Sequence, residues 1–474
     1  MRESRKAQRL IFECTQARAL LADARVHVQD VRGCRGRLTR FLAPYLPLFY
    51  RREQRDNAVI VVQGLLSGLE RKTAEPIAAA HGVQRKPIQF FVGTGKWDDE
   101  AVMGHLRRHV VAVMGDDQAV LVLDASTFPK KGKCSCGVGR AWCGRLGKVE
   151  NCQTGMFLAY ATDRGQAPLD RRLHLPQDWA QDPARRDQTH VPPEVKFAER
   201  WRTGLAMIDA HRGSVPHGWI AADDEFGRVG EFRAALRDRG ESYVLDVPGM
   251  TRIRDLDAPP PPGKNSNGRA RTLPFVRMDQ WAVAQPAARW KKIQVKDGEK
   301  GPIVVWAMTA RVCAKLKGRN GPPERMVIRR EQEGENSKLS YHLSWTPQEQ
   351  VPLDTLVKVR GRRHQVEELF QHGKGEAGLD HYEVRSWVGW HHHMTLSLLA
   401  LWFLCLERLT TGKKNTGDHG AAGSPDRVQI AAPACPDRGA DRRRNHECSA
   451  AQRGVADLPL ARTHATLSTA ATCA

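Results

Sequence analysis

Apolar positions change their spacing several times along the chain. Over residues 1–115 they recur at helical intervals, and the run AVIVVQGLLSGL from Ala58 to Leu69 is flanked by RREQRDN and ERKTAEPIA. A compact helical domain with basic edges is expected there. From Ala119 short β-rich runs take over: AVLVLDAS, GMFLAYAT from Gly155 and LDRRLHL from Leu169, separated by Gly, Lys and Pro. Apolar positions at Val195, Ala198, Leu205, Met207 and Ile208 predict a helix from Glu194 to Arg212. A strand GWIAAD follows from Gly218, then a helix from Phe232 that ends at Gly240, then a strand from Ser242 to Val247. The order βββαβαβ predicts a mixed α/β sheet.

Residues 251–350 break this rhythm with PPPPGKNSNGRAR and the isolated runs IVVWAMT, RMVIRR and LSYHLS, which suggest an inserted, mostly β subdomain. It holds 19 Lys or Arg against 10 Asp or Glu, about twice the net charge density of the whole chain. Helical spacing returns from Asp354 to Lys374 and from Ser386 to Leu409. Residues 412–474 have no periodic apolar face and no Phe, Trp or Tyr, so disorder is expected. No internal repeat is visible.

At 474 residues the chain is about three times the ~150-residue prior for one domain, which excludes a disulfide-stapled miniprotein. Its 74 Lys and Arg against 53 Asp and Glu give a net charge of +21, which points to a polyanionic partner rather than a small-molecule substrate. The apolar stretch Met394 to Leu406 has 13 residues, short of the ~20 that span a bilayer, so no membrane partner is expected. The N-terminus MRESRKAQRLIFEC lacks the apolar core of a secretory signal, and a cytoplasmic location is expected. Cys134, Cys136, Cys143 and Cys152 cluster, but their spacing fits no zinc finger; small buried thiols beside a strand are the preferred reading. The fragment CGVGR lacks the third glycine and the context of a nucleotide loop. His391, His392 and His393 point about 100° apart on a helix and cannot converge on one ion; an interfacial or DNA-facing role is expected instead.

Three acids stand where such a fold could bring them together: Asp124 and Asp223, each ending an apolar strand, and Glu367 on a helix. Lys130, Lys131 and Lys133 follow Asp124 closely, and Arg363, Glu367 and Lys374 fall on one helix face. Singly, each acid reads as an ordinary cap or solvated residue. Together they supply the hard oxygen donors that phosphodiester chemistry asks of a Mg²⁺ site, with cations nearby for the backbone.

Three stretches carry a resemblance to a known family: DASTFPKKGKCSCGVGRAWCGRLGKVENCQTGMFLAYATDRGQAPLDRRLHLP from Asp124, WIAADDEFG from Trp219, and GRRHQVEELFQHGKGEAGLDHYEVRSWVGWHHHMTLSLLAL from Gly361. Over roughly Leu46 to Leu409 the chain resembles DDE transposases of the insertion sequence 701 family, related to the insertion sequence 4 group. The resemblance makes Asp124, Asp223 and Glu367 the catalytic and metal-binding triad, holding two Mg²⁺ (or Mn²⁺) ions. Asp223 rather than Asp224 stands four residues before the family's glycine, here Gly227, and Glu367 rather than Glu368 keeps the spacing to Arg363 and Lys374. Arg363 and Lys374, with Lys130 and Lys131, become DNA contacts. Arg360 replaces the group's Tyr, His364 the family's aromatic, and Ser126 a threonine.

The resemblance implies an RNase H-like mixed-sheet core over 116–250, interrupted by a basic β-rich insertion over 251–350 and completed by helices over 351–411. Residues 1–115 would bind the element ends. In the wider group an aromatic of the insertion stacks on a flipped base, for which Trp281, Trp290, Trp306 and Trp345 are the candidates. The tail departs from the family, as a reading frame shifted after about Lys414 would make it. The implied function is transposition: cleavage at terminal inverted repeats and strand transfer into target DNA, by a homodimer on paired ends in the nucleoid. An impaired, transposase-derived DNA-binding protein and a simple RNase H-like nuclease are the alternatives.

Overall fold

The computed structural model describes residues 33–264, 266–269, 271–298, 301–331, 337–348 and 350–410. The first 32 residues and the tail, with its expected disorder and altered frame, lie outside them.

The helix Trp387–Thr410 is apolar on every side, and every residue from Gly389 to Phe403 is buried. Helices Arg52–Leu65, Arg85–Gly93 and Asp99–Met114 pack around it, and Cys34–Leu42 joins through the Phe41–Phe403 ring pair at 5.3 Å and the Arg37–Glu407 ion pair at 2.5 Å. Asp98 caps the Asp99 helix by accepting from Ala101 N at 2.9 Å. Among the described residues no helix is long and apolar enough to cross a membrane.

Among the described residues, twelve strands form one sheet. β1 (Val120–Pro129), β2 (Gly139–Cys143) and β4 (Gly165–Leu173) each pair antiparallel with β3 (Lys148–Thr162). β5 (Trp219–Ala222) runs parallel to β1, and β6 (Tyr243–Val247) parallel to β5. The order β4-β3-β1-β5-β6, three antiparallel strands followed by two parallel to the first, is the RNase H-like arrangement. Helix Leu353–Glu376 crosses β1, β5 and β6.

The insertion does not stand apart from this sheet. β7 (Arg252–Asp255), β8 (Val276–Arg277), β9 (Lys291–Gly298), β10 (Gly301–Leu316), β11 (Arg319–Arg330) and β12 (Leu339–Trp345) extend it, because β12 pairs antiparallel with β6 from Trp345↔Tyr243 to Tyr341↔Val247. Without β12, β6 would be an open edge. A second core of Val247, Ile253, Met278, Met308, Met326, Ile328 and Leu343 lies under these strands.

Two expectations need correction. The helix expected from Glu194 starts at Arg200: residues 192–195 form a turn closed by Val195 N donating to Pro192 O at 3.1 Å, and Arg186 donates to Val195 O at 2.7 Å and Pro192 O at 2.8 Å. The three histidines do not face DNA. Each finds a backbone carbonyl inside the core: His391 at Trp387 O (2.9 Å), His392 at Trp97 O (3.2 Å) and His393 at Gly378 O (3.0 Å). Burial pushes them down to about 3, 4 and 3, so they stay neutral and pack as apolar rings.

Candidate active site

The parallel pairing of β1 with β5 ends at Leu123↔Ala222. Asp124 and Asp223 are the next residue on each chain, so they stand side by side at the carboxyl end of the parallel strands, where open α/β sheets place their ligands. β1 itself continues to Pro129 on β3, which fixes Asp124 within a strand rather than on a loop. Asp223 leaves β5 and turns, its Oδ1 accepting from Glu225 N at 3.1 Å. Gly227 makes that turn possible: a Cβ there would collide with the backbone carbonyl oxygen of Asp246.

Glu367 comes from the crossing helix, one turn beyond Arg363, whose guanidinium donates to Glu367 Oε1 at 2.6 Å. His364 reaches Glu367 Oε2 at 3.4 Å. The His364 contact, reinforced by Arg363, holds the Glu367 carboxyl below its ordinary value against burial. Asp124 behaves oppositely. Burial pushes it up to about 7; Arg363 opposes the rise, and the charges of Asp223 and Glu367 add to it. Asp223 is also pushed up, by burial first, with Arg363 opposing and Asp224 adding. The three acids therefore act on one another, directly or through Arg363.

A fourth acid escapes a reading limited to the family motif. Asp246, near the end of β6, is the counterpart of Asp124 and Asp223 on the third parallel strand. It accepts from His342 Nδ1 at 2.8 Å and pairs with Arg360 at 3.3 Å and Arg363 at 3.4 Å. Burial would raise its carboxyl, but His342 and the two arginines hold it well below the usual range. The strand SYVLDV carried the signal, an Asp in the same place on a third strand; His342, its partner across β12, is 96 residues away.

Arg363 thus sits among Asp246, Asp124, Glu367 and Asp223, which keep it charged despite burial. Its Nε is buried without a hydrogen-bond partner. Lys374 lies 5.6 Å from the centre of the Phe128 ring, and burial lowers it while Asp380 and Asp124 pull it up. Lys130 lies 3.3 Å over the Tyr382 ring and donates to Tyr382 O at 3.2 Å; burial brings it down to about 8. Lys131 is exposed. Trp281 is in the second core with its Nε1 on Asp255 (2.9 Å), Trp290 lies under Arg330, Trp345 stacks on Tyr243, and Trp306 is half-buried. Cys136, Cys143 and Cys152 are buried free thiols, and Cys134 is half-buried.

Among the described residues no three His, Cys, Asp or Glu side chains stand close enough to hold an ion as they are, since Glu367 is turned onto Arg363. The donor chemistry still fits a hard divalent cation: Asp124 and Asp223 are carboxylates on adjacent parallel strands, and burial, with the charges of Asp223 and Glu367 adding to it, raises Asp124 to about 7.

A family model described as DDE superfamily endonuclease matches residues 44–302, a span that contains Asp124 and Asp223 and stops before Glu367. Among solved structures, the chain is similar to a piggyBac transposase in a synaptic complex with hairpin DNA, at 11% identity and a TM-score of 0.41, over 80% of this chain and 70% of that one. No curated protein matches the chain.

Proposed function

Because the chain belongs to the DDE superfamily endonucleases, we propose that it is a transposase of the insertion sequence 701 type, cutting DNA at element ends and joining the freed 3′-hydroxyl to target DNA. The observation that carries the reading is that Asp124 and Asp223 directly follow the parallel β1–β5 pairing at Leu123↔Ala222, with Glu367 on the crossing helix paired to Arg363, the guanidinium that all three acids share. Endonucleases of this superfamily generally use divalent metal ions. Here Asp124, Asp223 and Glu367 would hold two Mg²⁺ or Mn²⁺, which when bound supply an activated attacking oxygen and charge stabilisation at phosphorus.

The chain's own residues do the rest. Asp124, raised to about 7 by burial, would have to be ionised to serve as an oxygen donor. Glu367 would have to leave Arg363 to join Asp124 and Asp223 on a metal, and the guanidinium, anchored by Asp246, would then have donors for a phosphate. Asp246 and His342 are positioning residues, since they act through Arg363 and Arg360. Lys131 and the other exposed cations hold the backbone. Two copies bridging paired ends, in the cytoplasm on the nucleoid, complete the proposal.

The pairing of Glu367 with Arg363 favours one second reading, a transposase-derived protein that grips ends without cutting them. One assay separates the two. Purified protein with Mg²⁺ and a labelled duplex carrying the gene's flanking inverted repeats should nick that DNA, and Asp124→Asn should abolish nicking while binding survives. Binding without nicking by the wild type would overturn the enzymatic reading.

A further inference from the structure

We propose that the hairpin formed by β2 and β3 near Trp142 is a second DNA-contacting element, seated in a groove of the duplex well away from the carboxylates. It rests on the DNA-processing reading above and adds a site that reading does not use.

All twelve tryptophans lie among the described residues, and Trp142 is the exposed one, with 62% of its surface open. Val149, its direct cross-strand partner, is 49% exposed, and Leu146 in the turn is 44% exposed. Alternation along the strands puts Arg140, Trp142 and Val149 on one face. An apolar tip of this kind in water needs a partner. The charge around it says which: from Lys130 to Val149 the chain has six Lys or Arg and no Asp or Glu. A second copy of the chain, itself at +21, would be repelled there; duplex DNA would be drawn in.

The cations can serve. Arg140 and Lys148 pair with Glu150 at 3.5 and 3.1 Å and Arg145 with Asp380 at 3.1 Å, all from exposed positions where such pairs contribute little and yield to phosphate. A two-stranded ribbon fits the major groove, and apolar side chains on such arms can wedge between base steps. The root is firm: Asn151 Nδ2 donates to Lys130 O at 2.7 Å and Gly132 O at 2.9 Å, Gln153 Nε2 donates to Cys136 O at 2.6 Å, and Cys136 N donates to Arg385 O at 2.8 Å.

The register also gives the distance. Asp124 pairs with Phe157 on β3, and Val149 lies eight residues earlier on the same strand. At ~3.3 Å per residue the tip is about 26 Å from Asp124, the length of roughly eight base pairs. The hairpin therefore touches DNA flanking the cut, not the scissile phosphate.

The test uses the full chain, a labelled random-sequence duplex of about 30 base pairs and a single strand of equal length, with binding read by anisotropy across a KCl series. Trp142→Ala should weaken duplex binding roughly tenfold without changing the salt slope, and Trp142→Phe should restore most of it. Replacing Arg140, Arg145 and Lys148 together by Gln should flatten the slope, by ~0.9 for each phosphate no longer neutralised. Duplex binding unchanged in both variants, or a Trp142→Ala loss confined to the single strand, overturns the proposal while leaving the nicking assay untouched. A wild type with no affinity for either DNA removes the underlying reading as well.

Discussion

Asp124 carries a signature that can be measured without substrate. Burial raises its carboxyl from the ordinary 3.8 to about 7, so between those values the folded chain holds a proton that the unfolded chain has released. Its contribution to stability is therefore present at low pH and lost as pH rises through that window. Asp124→Asn removes the titration. In metal-free buffer the variant should melt above the wild type at pH 8, and the gap should shrink toward pH 4; parallel melting profiles would refute the assignment. Mg²⁺ at a hundredfold over its Kd should restore the wild type by about 2.7 kcal/mol at pH 8 and do far less for the variant. Asp246, held low by His342 and the arginines, has the opposite sign and loses its contribution in acid, so only the difference between variant and wild type isolates Asp124.

Among the elements, those with a long regular period were legible in advance. The helix over Leu353–Glu376 and the strands around Leu123, Leu158, Ile220 and Leu245 follow from spacing alone. β2 was not legible, because GRAWC is five residues framed by glycines and depends on β3 for its pairing. The position of Asp223 after its strand could be read, whereas Asp124, expected to end a strand, lies mid-way along β1 because pairing with β3 carries that strand on to Pro129, and the part played by Arg363 could not be read either. Its environment comes from four acids on four separate elements. The histidine triplet shows a related blindness: spacing excluded a shared ion, but the carbonyl that receives His392 belongs to Trp97, 295 residues away, and the one that receives His393 to Gly378, across a turn from the helix. One element-level feature is open to a direct test. A methyl group at Gly227 would run into the carbonyl of Asp246, and backbone cannot swing aside as a side chain can. Gly227→Ala should cost about 1–3 kcal/mol or more and should reduce nicking out of proportion, since Asp223 and Asp246 move with the turn. An unchanged melting temperature would count against this geometry.

For the whole molecule, continuity of the sheet through β6 and β12 matters more than the separate identity of the insertion. The junction is stapled by a buried cluster in which Arg233 donates to Glu324 at 2.8 Å and Tyr243 Oη to the same oxygen at 2.6 Å, joining the helix Gly230–Asp238, β6 and β11. Loss of one partner of such a buried ion pair typically costs about 3–5 kcal/mol. It follows that no minimal nuclease can be carved from this protein by looping out residues 251–345, the span that ends with β12. The truncated form would bare the backbone amides and carbonyls of Tyr243 to Val247 and strand a lone arginine in hydrocarbon. Its expected fate on expression is precipitation, measured as the soluble fraction beside that of the intact chain; a soluble, cooperatively melting product would show that the added strands are ornament rather than keystone.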